Sequence, residues 1–455
     1  AEGKNEADRR LLSLCRTKAE RDAFVLFQRD PKKAGAFLEE LVEKEESAIV
    51  REVYRGVKEA YASYDDLEVL DVNPEFCHPK TGEKGTLPAL HQKMSLYHQL
   101  KERKYGVFDG CGTGKTAIAT LAKPLIDLQM DEEGVPYRVD KNEDGKQFRR
   151  TVVVGPKLSR KSWKKGLTGK VEERYLESTK PEDVMIVDPS RKKDESFLEE
   201  LAKKEWIVLN YEQLQSNCAD GRSMAQVLVE MGVDYVVVDE SHRARGRQDL
   251  TPQGKLTQSA AVRALANSAP YLSLLSATPI VDTTEDYAVP AHLLNPDLVP
   301  DIRSFGEIAR GNPRIVYTLF LEKTSRKTAE EINPELNYEE EQINVELDPL
   351  QKKIHDHLID RKPRDWLIQT RKAILDPRLV DPEVLKRAGV LGEVTWRNSS
   401  KYKTLIDRLT DEDGPVAKGE KFVIFSSLFR DGVMYSEAVE EKEHAGFVNV
   451  EGPNQ

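Results

Sequence analysis

The chain is poor in cysteine, and what it has is scattered. Cys15, Cys77, Cys111 and Cys218 are the only four in 455 residues. No two form a C-x-x-C pair, which argues against a disulfide framework and structural zinc and for a reducing compartment. Cys77-His78 has no second pair at ligand spacing. Long apolar runs are also missing. No stretch approaches the ~18 apolar residues of a membrane span. The first ten residues, AEGKNEADRR, lack the apolar core of a signal peptide. The expectation is an intracellular protein with no membrane partner, cytoplasmic by preference with a nuclear location left open.

An excess of positive charge is lacking too. The net charge is −10, from 69 basic and 79 acidic residues. That disfavours non-specific coating of nucleic acid but leaves room for a local basic track. One such track exists. Lys157, Arg160, Lys161, Lys164, Lys165 and Lys170 fall within fourteen residues that contain no acid. Internal repeats and low-complexity tracts are absent.

At this length two or three domains are expected. Residues 8 to about 65 read as helices: Ile49, Val50, Val53, Tyr54 and Val57 follow the 3.6 period. Asp30-Pro31 is a helix start. Asp65 to Thr86, with Pro74, Pro79, Gly82 and Gly85, reads as a linker. From 86 to 298 short β-branched runs alternate with helical stretches. Thr151–Val154, Trp206–Leu209, Tyr235–Val238 and Leu272–Leu275 are apolar without alternation, as in strands buried on both faces of a parallel sheet. This is an α/β layered domain. Asp131 to Gln147 is charged and reads as an exposed insertion.

The pattern changes after Pro300. Ile343, Val345 and Leu347 alternate as a half-buried strand. Asp348-Pro349 opens a helix with Leu350, Ile354 and Leu358 on one face. Another helix carries Trp366, Ile368 and Ile374. A helix with Leu405, Ile406 and Leu409 precedes a buried strand, Lys421–Phe425. About 30 residues follow, too few for a second α/β domain.

Against this background the segment Asp109-Gly110-Cys111-Gly112-Thr113-Gly114-Lys115-Thr116 stands out. Alternating glycines let successive N–H groups turn inward as an anion cradle. A short apolar strand, Tyr105–Phe108, precedes it, and a helix begins at Lys115, whose N-terminal end favours phosphate. Gly110, Gly112, Thr113 and Gly114 would cradle phosphates. Lys115 would reach the β- and γ-phosphates, and the Thr116 hydroxyl would ligate Mg²⁺. The strict phosphate-loop pattern has glycine where this chain has Asp109.

Three further pieces follow in order. Asp239-Glu240-Ser241-His242 lies directly after the run Tyr235–Val238, where α/β sheets place ligands. Asp239 can hold Mg²⁺, and Glu240 can orient and deprotonate water. Ser276-Ala277-Thr278-Pro279 follows another apolar run, and the hydroxyls of Ser276 and Thr278 can bridge the acidic site to a neighbouring domain. Gln92, about 20 residues before the loop, carries an amide able to read adenine. In the basic track, Lys157, Arg160 and Lys161 are candidate contacts to nucleic-acid phosphates. Trp163 among those lysines reads as a packed ring rather than a base-stacking one.

In this order the motifs resemble the ATPase motor of the Swi/Snf-like family, within the second superfamily of helicase-like ATPases. The resemblance spans about Leu87 to Phe429. Leu90-His91-Gln92 resembles the adenine-reading motif. DGCGTGKT resembles the family's first motif, which also begins with Asp. VVVGPKLSRKSW, IVLNYEQL, DESH and LLSATPI resemble the motifs that follow, and LDPLQKKIHDHL, RKAILDPRLV and KFVIFSSLF resemble features between and within two motor lobes. The resemblance implies a RecA-like parallel-sheet ATPase lobe over 86–298. It also implies a helical N-terminal extension over 1–80, a helical bridge over 300–395 and a partial second RecA-like lobe over 396–455. It implies catalysis by Lys115, Asp239, Glu240, His242, Ser276 and Thr278 on ATP with Mg²⁺. It further implies translocation on double-stranded DNA without strand separation, with protein cargo on that DNA left open and a prokaryotic or viral source favoured. Departures exist. Cys111 replaces a bulkier apolar residue, and Glu322-Lys323-Thr324 stands where an Arg-Arg stretch is usual. The later second-lobe motifs, including the arginine finger, are absent. The expectation is a fragment that binds ATP·Mg²⁺ and hydrolyses it poorly. The other readings are a motor subunit of a restriction or anti-phage complex, and a non-catalytic ATP-dependent nucleic-acid clamp. A phosphate-loop kinase or GTPase would leave DESH followed by SAT unexplained.

Overall fold

The computed structural model of the protein describes residues 67–420 apart from 70, 80–81, 130–139, 142–146, 191–195 and 333–340. The helices expected over 8–65 and the strand expected at Lys421–Phe425 lie outside the described residues. The chain divides into two compact units at 337/338.

In the first unit the apolar runs become a single sheet. Its strands are β1 (Lys104–Val107), β2 (Thr151–Gly155), β3 (Val184–Ile186), β4 (Trp206–Asn210), β5 (Tyr235–Asp239), β6 (Tyr271–Leu275) and β7 (Thr324–Ser325). The order is β3-β4-β2-β5-β6-β1-β7, and every pairing is parallel. Strands β2, β4, β5 and β6 are buried along their whole length. The pleat explains why their sequences do not alternate. Val152, Val154, Val236 and Val238 enter one apolar core. Val153 and Val237 enter another. Both sheet faces are therefore covered, and the valine runs have no solvent side to alternate with.

Arg150, wholly buried just before β2, anchors the opposite end of the sheet from the loops that follow. Its guanidinium donates to the carbonyls of Ala202 at 2.6 Å, Met231 at 3.3 Å and Gly232 at 3.0 Å. These lie at the C-terminal ends of two helices, where carbonyls lack intrahelical partners. Its backbone N–H donates to Asp234 at 3.0 Å.

Several expectations need correction. The described residues of 67–86 contain no helix or named strand, yet they are packed against the lobe. Phe76 is buried with its ring 5.4 Å from that of Tyr175. The Asn73 amide donates to Val171 and Arg174 carbonyls. Residues 302–319, expected to open a helical bridge, pack within the first unit. Helices Ile302–Gly311 and Pro313–Glu322 place Ile302, Phe305, Ala309, Val316 and Leu319 in the same core as β2 and β5. Strand β7 then joins the edge beside β1. The strand expected at Ile343, Val345 and Leu347 does not form. Residues 341–348 are irregular and Ile343 is 45% exposed. An alternating pattern supplies a face but no ladder, and no described strand pairs with it.

The described part of the second unit is helical. Asp348 caps the helix Pro349–Arg361 through the Leu350 N–H. Ile354 and Leu358 pack there with Ala373, Val380, Leu385 and Val390. Gln351 ties this helix to the next by donating to the Ala373 and Ile374 carbonyls. No described helix is long and apolar enough to cross a membrane.

Arg150→Ala should lower the unfolding free energy by about 3 kcal/mol or more, since charge-assisted hydrogen bonds contribute ~1.5–3 kcal/mol each. Urea unfolding followed by circular dichroism measures it.

Candidate nucleotide site

Because all strands run the same way, the segments after β1, β2, β5, β6 and β7 leave from one edge of the sheet. That edge gathers the motifs. The Gly-rich loop follows β1 and leads into α1 (Lys115–Asp127). Gly112 and Gly114 both have positive φ, 76° and 83°, which side chains resist. A Cβ on Gly114 would also come within 2.5 Å of the Gln92 amide nitrogen. Gln92 and His91 lie on the preceding helix, Leu90–Glu102. The Gln92 carbonyl oxygen accepts from the Ala89 N–H at 2.8 Å. The His91 ring nitrogen lies 2.9 Å from the Thr113 carbonyl. Thr113 is buried and donates to the Gly110 carbonyl at 2.9 Å. Lys115 donates to the carbonyls of Asp109 and Gly110 at 2.8 and 2.7 Å. Burial draws its pKa down, against the pull of Asp109, Glu240 and Asp239. Thr116 stands beside it in the first turn of α1, half-buried.

The acidic pair closes β5. Asp239 is buried, and its carboxylate accepts from the Trp163 indole N–H at 3.0 Å. The Tyr211 hydroxyl lies 2.7 Å from the Asp239 carbonyl and 3.1 Å from that of Glu240. Burial raises the Tyr211 phenol far above its ordinary range, so it stays a donor. Glu240 adopts φ 51° and ψ 52°, a left-handed conformation that costs a side-chain-bearing residue about 1–2 kcal/mol. Its carboxylate lies 3.3 Å from His242 Nδ1. The same nitrogen is 3.0 Å from Ser276 Oγ, which also accepts from the Thr278 N–H at 3.1 Å. Thr278 itself is exposed. Ser276, Glu240 and His242 therefore form one polar chain across the ends of β5 and β6, next to the phosphate loop after β1.

Two side chains outside the sequence-derived set hold this arrangement. Trp163 is read from sequence only as a packed ring. It is packed, 1% exposed, and it also orients the metal candidate Asp239. Arg326 donates to the carbonyls of Phe108 and Ala277. The only sequence signal for it is a basic pair, Arg326-Lys327, after the departed Arg-Arg stretch. Gly155, closing β2, leaves room for Asp239: a Cβ there would lie 3.1 Å from the Asp239 Cβ.

The basic track divides by face. It occupies the end of β2 and α2 (Ser159–Thr168), which buries Trp163, Gly166 and Leu167. Lys157, Lys161 and Lys164 are exposed. Arg160 is half-buried and donates to the Val187 carbonyl at 2.9 Å, so part of its guanidinium is committed to the fold. Lys165 pairs with Glu173 at 3.0 Å. Among the described residues no group of His, Cys, Asp and Glu is arranged to hold a metal alone.

A family model for the SNF2-related domain matches residues 43–373. The chain belongs to the SNF2-related family. Its lobe is accordingly a RecA-like α/β ATPase fold, and the family is one of ATP-hydrolysing, helicase-like motors. The chain is similar to two solved structures from Sulfolobus solfataricus. One is a SWI2/SNF2 ATPase core in complex with dsDNA, 17% identical, TM-score 0.42, covering 83% of this chain and 72% of that one. The other is a SWI2/SNF2 ATPase core domain, 20% identical, TM-score 0.39, covering 83% and 70%. No curated protein matches.

Two outcomes test this geometry. Trp163→Phe keeps an aromatic ring but removes the donor to Asp239. It should cost about 1–3 kcal/mol of stability, the penalty of leaving a buried acceptor unsatisfied, read as a lower urea midpoint. The second concerns pH. Burial lowers the pKa of His242, with Arg243 and Arg245 pushing the same way and Glu240 and Asp239 opposing. Burial lowers that of His91 too. On acidification the unfolded chain takes up these protons before the folded one, so stability is full above the ordinary histidine range and falls as pH drops through it. His242→Asn should flatten that slope in urea titrations run between about pH 7.5 and 5.

Proposed function

We propose that this chain is an ATP-dependent motor that translocates on double-stranded DNA without separating its strands. The observation that carries the reading is the joining of Lys115, Asp239, Glu240, His242 and Ser276 along one sheet edge, with an exposed basic helix face beside it. The loop fits a triphosphate: its left-handed glycines turn N–H groups inward, and the Lys115 ammonium rests on two loop carbonyls that phosphate oxygens can replace. Thr116 and Asp239 would hold Mg²⁺. When bound, Mg²⁺ bridges phosphate oxygens and neutralises developing charge. The work left to the chain is positioning. Trp163 fixes one carboxylate oxygen of Asp239. Glu240, partly exposed and held beside His242, is placed to orient water and accept its proton. Neutral His242 links that carboxylate to Ser276 without adding a positive charge.

DNA enters through Lys157, Lys161 and Lys164, with Arg160 contributing the part of its guanidinium not bonded to Val187. These contacts would run along the phosphate backbone and read no sequence. The partner proposed for the exposed face of α2 is double-stranded DNA. Any protein displaced or remodelled is cargo on that duplex.

Steady-state ATP hydrolysis should be measured without nucleic acid and with single strands, duplex DNA and duplex RNA. Duplex DNA should stimulate most. Lys115→Ala and Glu240→Gln should each reduce the stimulated rate by about 10²-fold or more, the scale of a lost charge-stabilising group or general base. Lys161→Ala should weaken DNA binding equally on all sequences and reduce the salt slope by about one. A rate indifferent to every nucleic acid overturns the proposal and leaves an ATP-driven switch whose activator is a protein.

A further inference from the structure

Strand β7 is only two residues long, at the open edge of the sheet, and its residues Thr324 and Ser325 are buried. It is fastened to β1 well beyond its own length. Gly106 donates to the Lys323 carbonyl at 2.8 Å, Phe108 to Ser325 at 3.0 Å and Gly110 to Lys327 at 2.7 Å. In return the Lys327 N–H donates to the buried Asp109 carboxylate at 2.8 Å. Residues 323–327 thus run beside β1 as far as the second residue of the phosphate loop. This accounts for the aspartate that opens the loop: its carboxylate is a backbone anchor for the neighbouring segment.

Arg326 extends that contact sideways. Its Nη1 donates to the Phe108 carbonyl at 2.5 Å and to the Ala277 carbonyl at 2.7 Å. One nitrogen therefore joins the strand entering the phosphate loop to the turn Ser276-Ala277-Thr278. From that turn the polar chain continues through Ser276 Oγ and His242 to Glu240. The segment that carries Arg326 is also the last part of the first unit before the division at 337/338.

We propose that Arg326 is a positioning residue for ATP hydrolysis, a latch that sets the Ser276–Thr278 turn against the phosphate loop and through it the His242–Glu240 pair. The latch lies on the stretch of chain leading to the second unit, so a displacement of that stretch reaches Glu240 through Ala277, Ser276 and His242. A two-residue edge strand with an exposed side chain as its clasp is the low-stability kind of element that can open without unfolding the lobe. The inference rests on the reading of Glu240 as the group that activates water.

The test uses Arg326→Ala and Arg326→Lys in the full chain, with Glu240→Gln alongside. It measures kcat and KM for duplex-stimulated ATP hydrolysis, affinity for a fluorescent ATP analogue, and Tm. Arg326→Ala should lower kcat by roughly 10- to 100-fold, the scale of a slightly misplaced catalytic group. Nucleotide affinity should change by less than about twofold, because the loop and Lys115 stay in place. Arg326→Lys keeps the charge and should restore part of kcat. The double variant Arg326→Ala/His242→Asn should lose less than the product of the single losses, as residues in one network do. A kcat within about twofold of the parent for Arg326→Ala, with Glu240→Gln inactive, overturns the latch and leaves the site reading intact. A loss explained wholly by weaker ATP binding or by unfolding also overturns it. Parent-like hydrolysis by Glu240→Gln overturns both.

Discussion

The common direction of the seven strands is the constraint on which everything else depends. A parallel ladder cannot be closed by hairpins, so each strand must be followed by a crossover on one face or the other. Every strand therefore ends on the same edge. Asp109 and Thr278 are 169 positions apart in the sequence, yet the register of β5, β6 and β1 brings the strand ends level: Asp239 pairs with Leu275, and Leu275 with Val107. The site is a consequence of sheet register, and the helices on both faces make that register costly to slip, because a one-residue shift would exchange the two cores.

On that edge the backbone supplies as much of the site as the side chains do. Asp239 and Glu240 are fixed by Tyr211 through their carbonyls, and Glu240 is held in a left-handed conformation that an unsupported residue avoids. Backbone strain of this kind persists only where the surroundings over-determine it. The polar contacts from Tyr211, His242 and Ser276 provide that surplus. Held this way, the glutamate is presented at the strand end instead of continuing down the ladder.

The sequence made this much legible because its strongest signals are physical necessities. Strands buried on both faces are mostly apolar and lack alternation, so Thr151–Val154 and Tyr235–Val238 announce themselves. A phosphate cradle needs left-handed backbone, so its glycines do as well. What stayed hidden obeys weaker rules. Thr324-Ser325 is a polar pair that becomes strand only because the edge of β1 is there to receive it. Val184–Ile186 is too short for its run to be distinguished from a loop. The alternation at Ile343, Val345 and Leu347 promised a strand that the described structure lacks, since pattern cannot create a partner. Trp163 was masked by its lysine neighbours, although the reading of a packed ring was right as far as it went. Arg326 acts on carbonyls, and backbone acceptors leave no trace in sequence.

Helix α2 shows how such hidden contacts tie the parts of the lobe together. Its outer face carries Lys161 and Lys164, and its inner face carries Trp163, which holds Asp239. The two faces of a ten-residue helix cannot move independently. A contact that shifts the lysines shifts the indole, and the carboxylate it bonds must follow or lose a buried hydrogen bond. Arg326 reaches Glu240 less directly, through the Ala277 carbonyl, Ser276 and His242. Each of the two acidic residues is therefore tethered to a different surface element, Asp239 to the basic helix and Glu240 to the edge strand. On the proposed function, hydrolysis would then depend on two separate engagements, one through the basic helix and one through the edge strand.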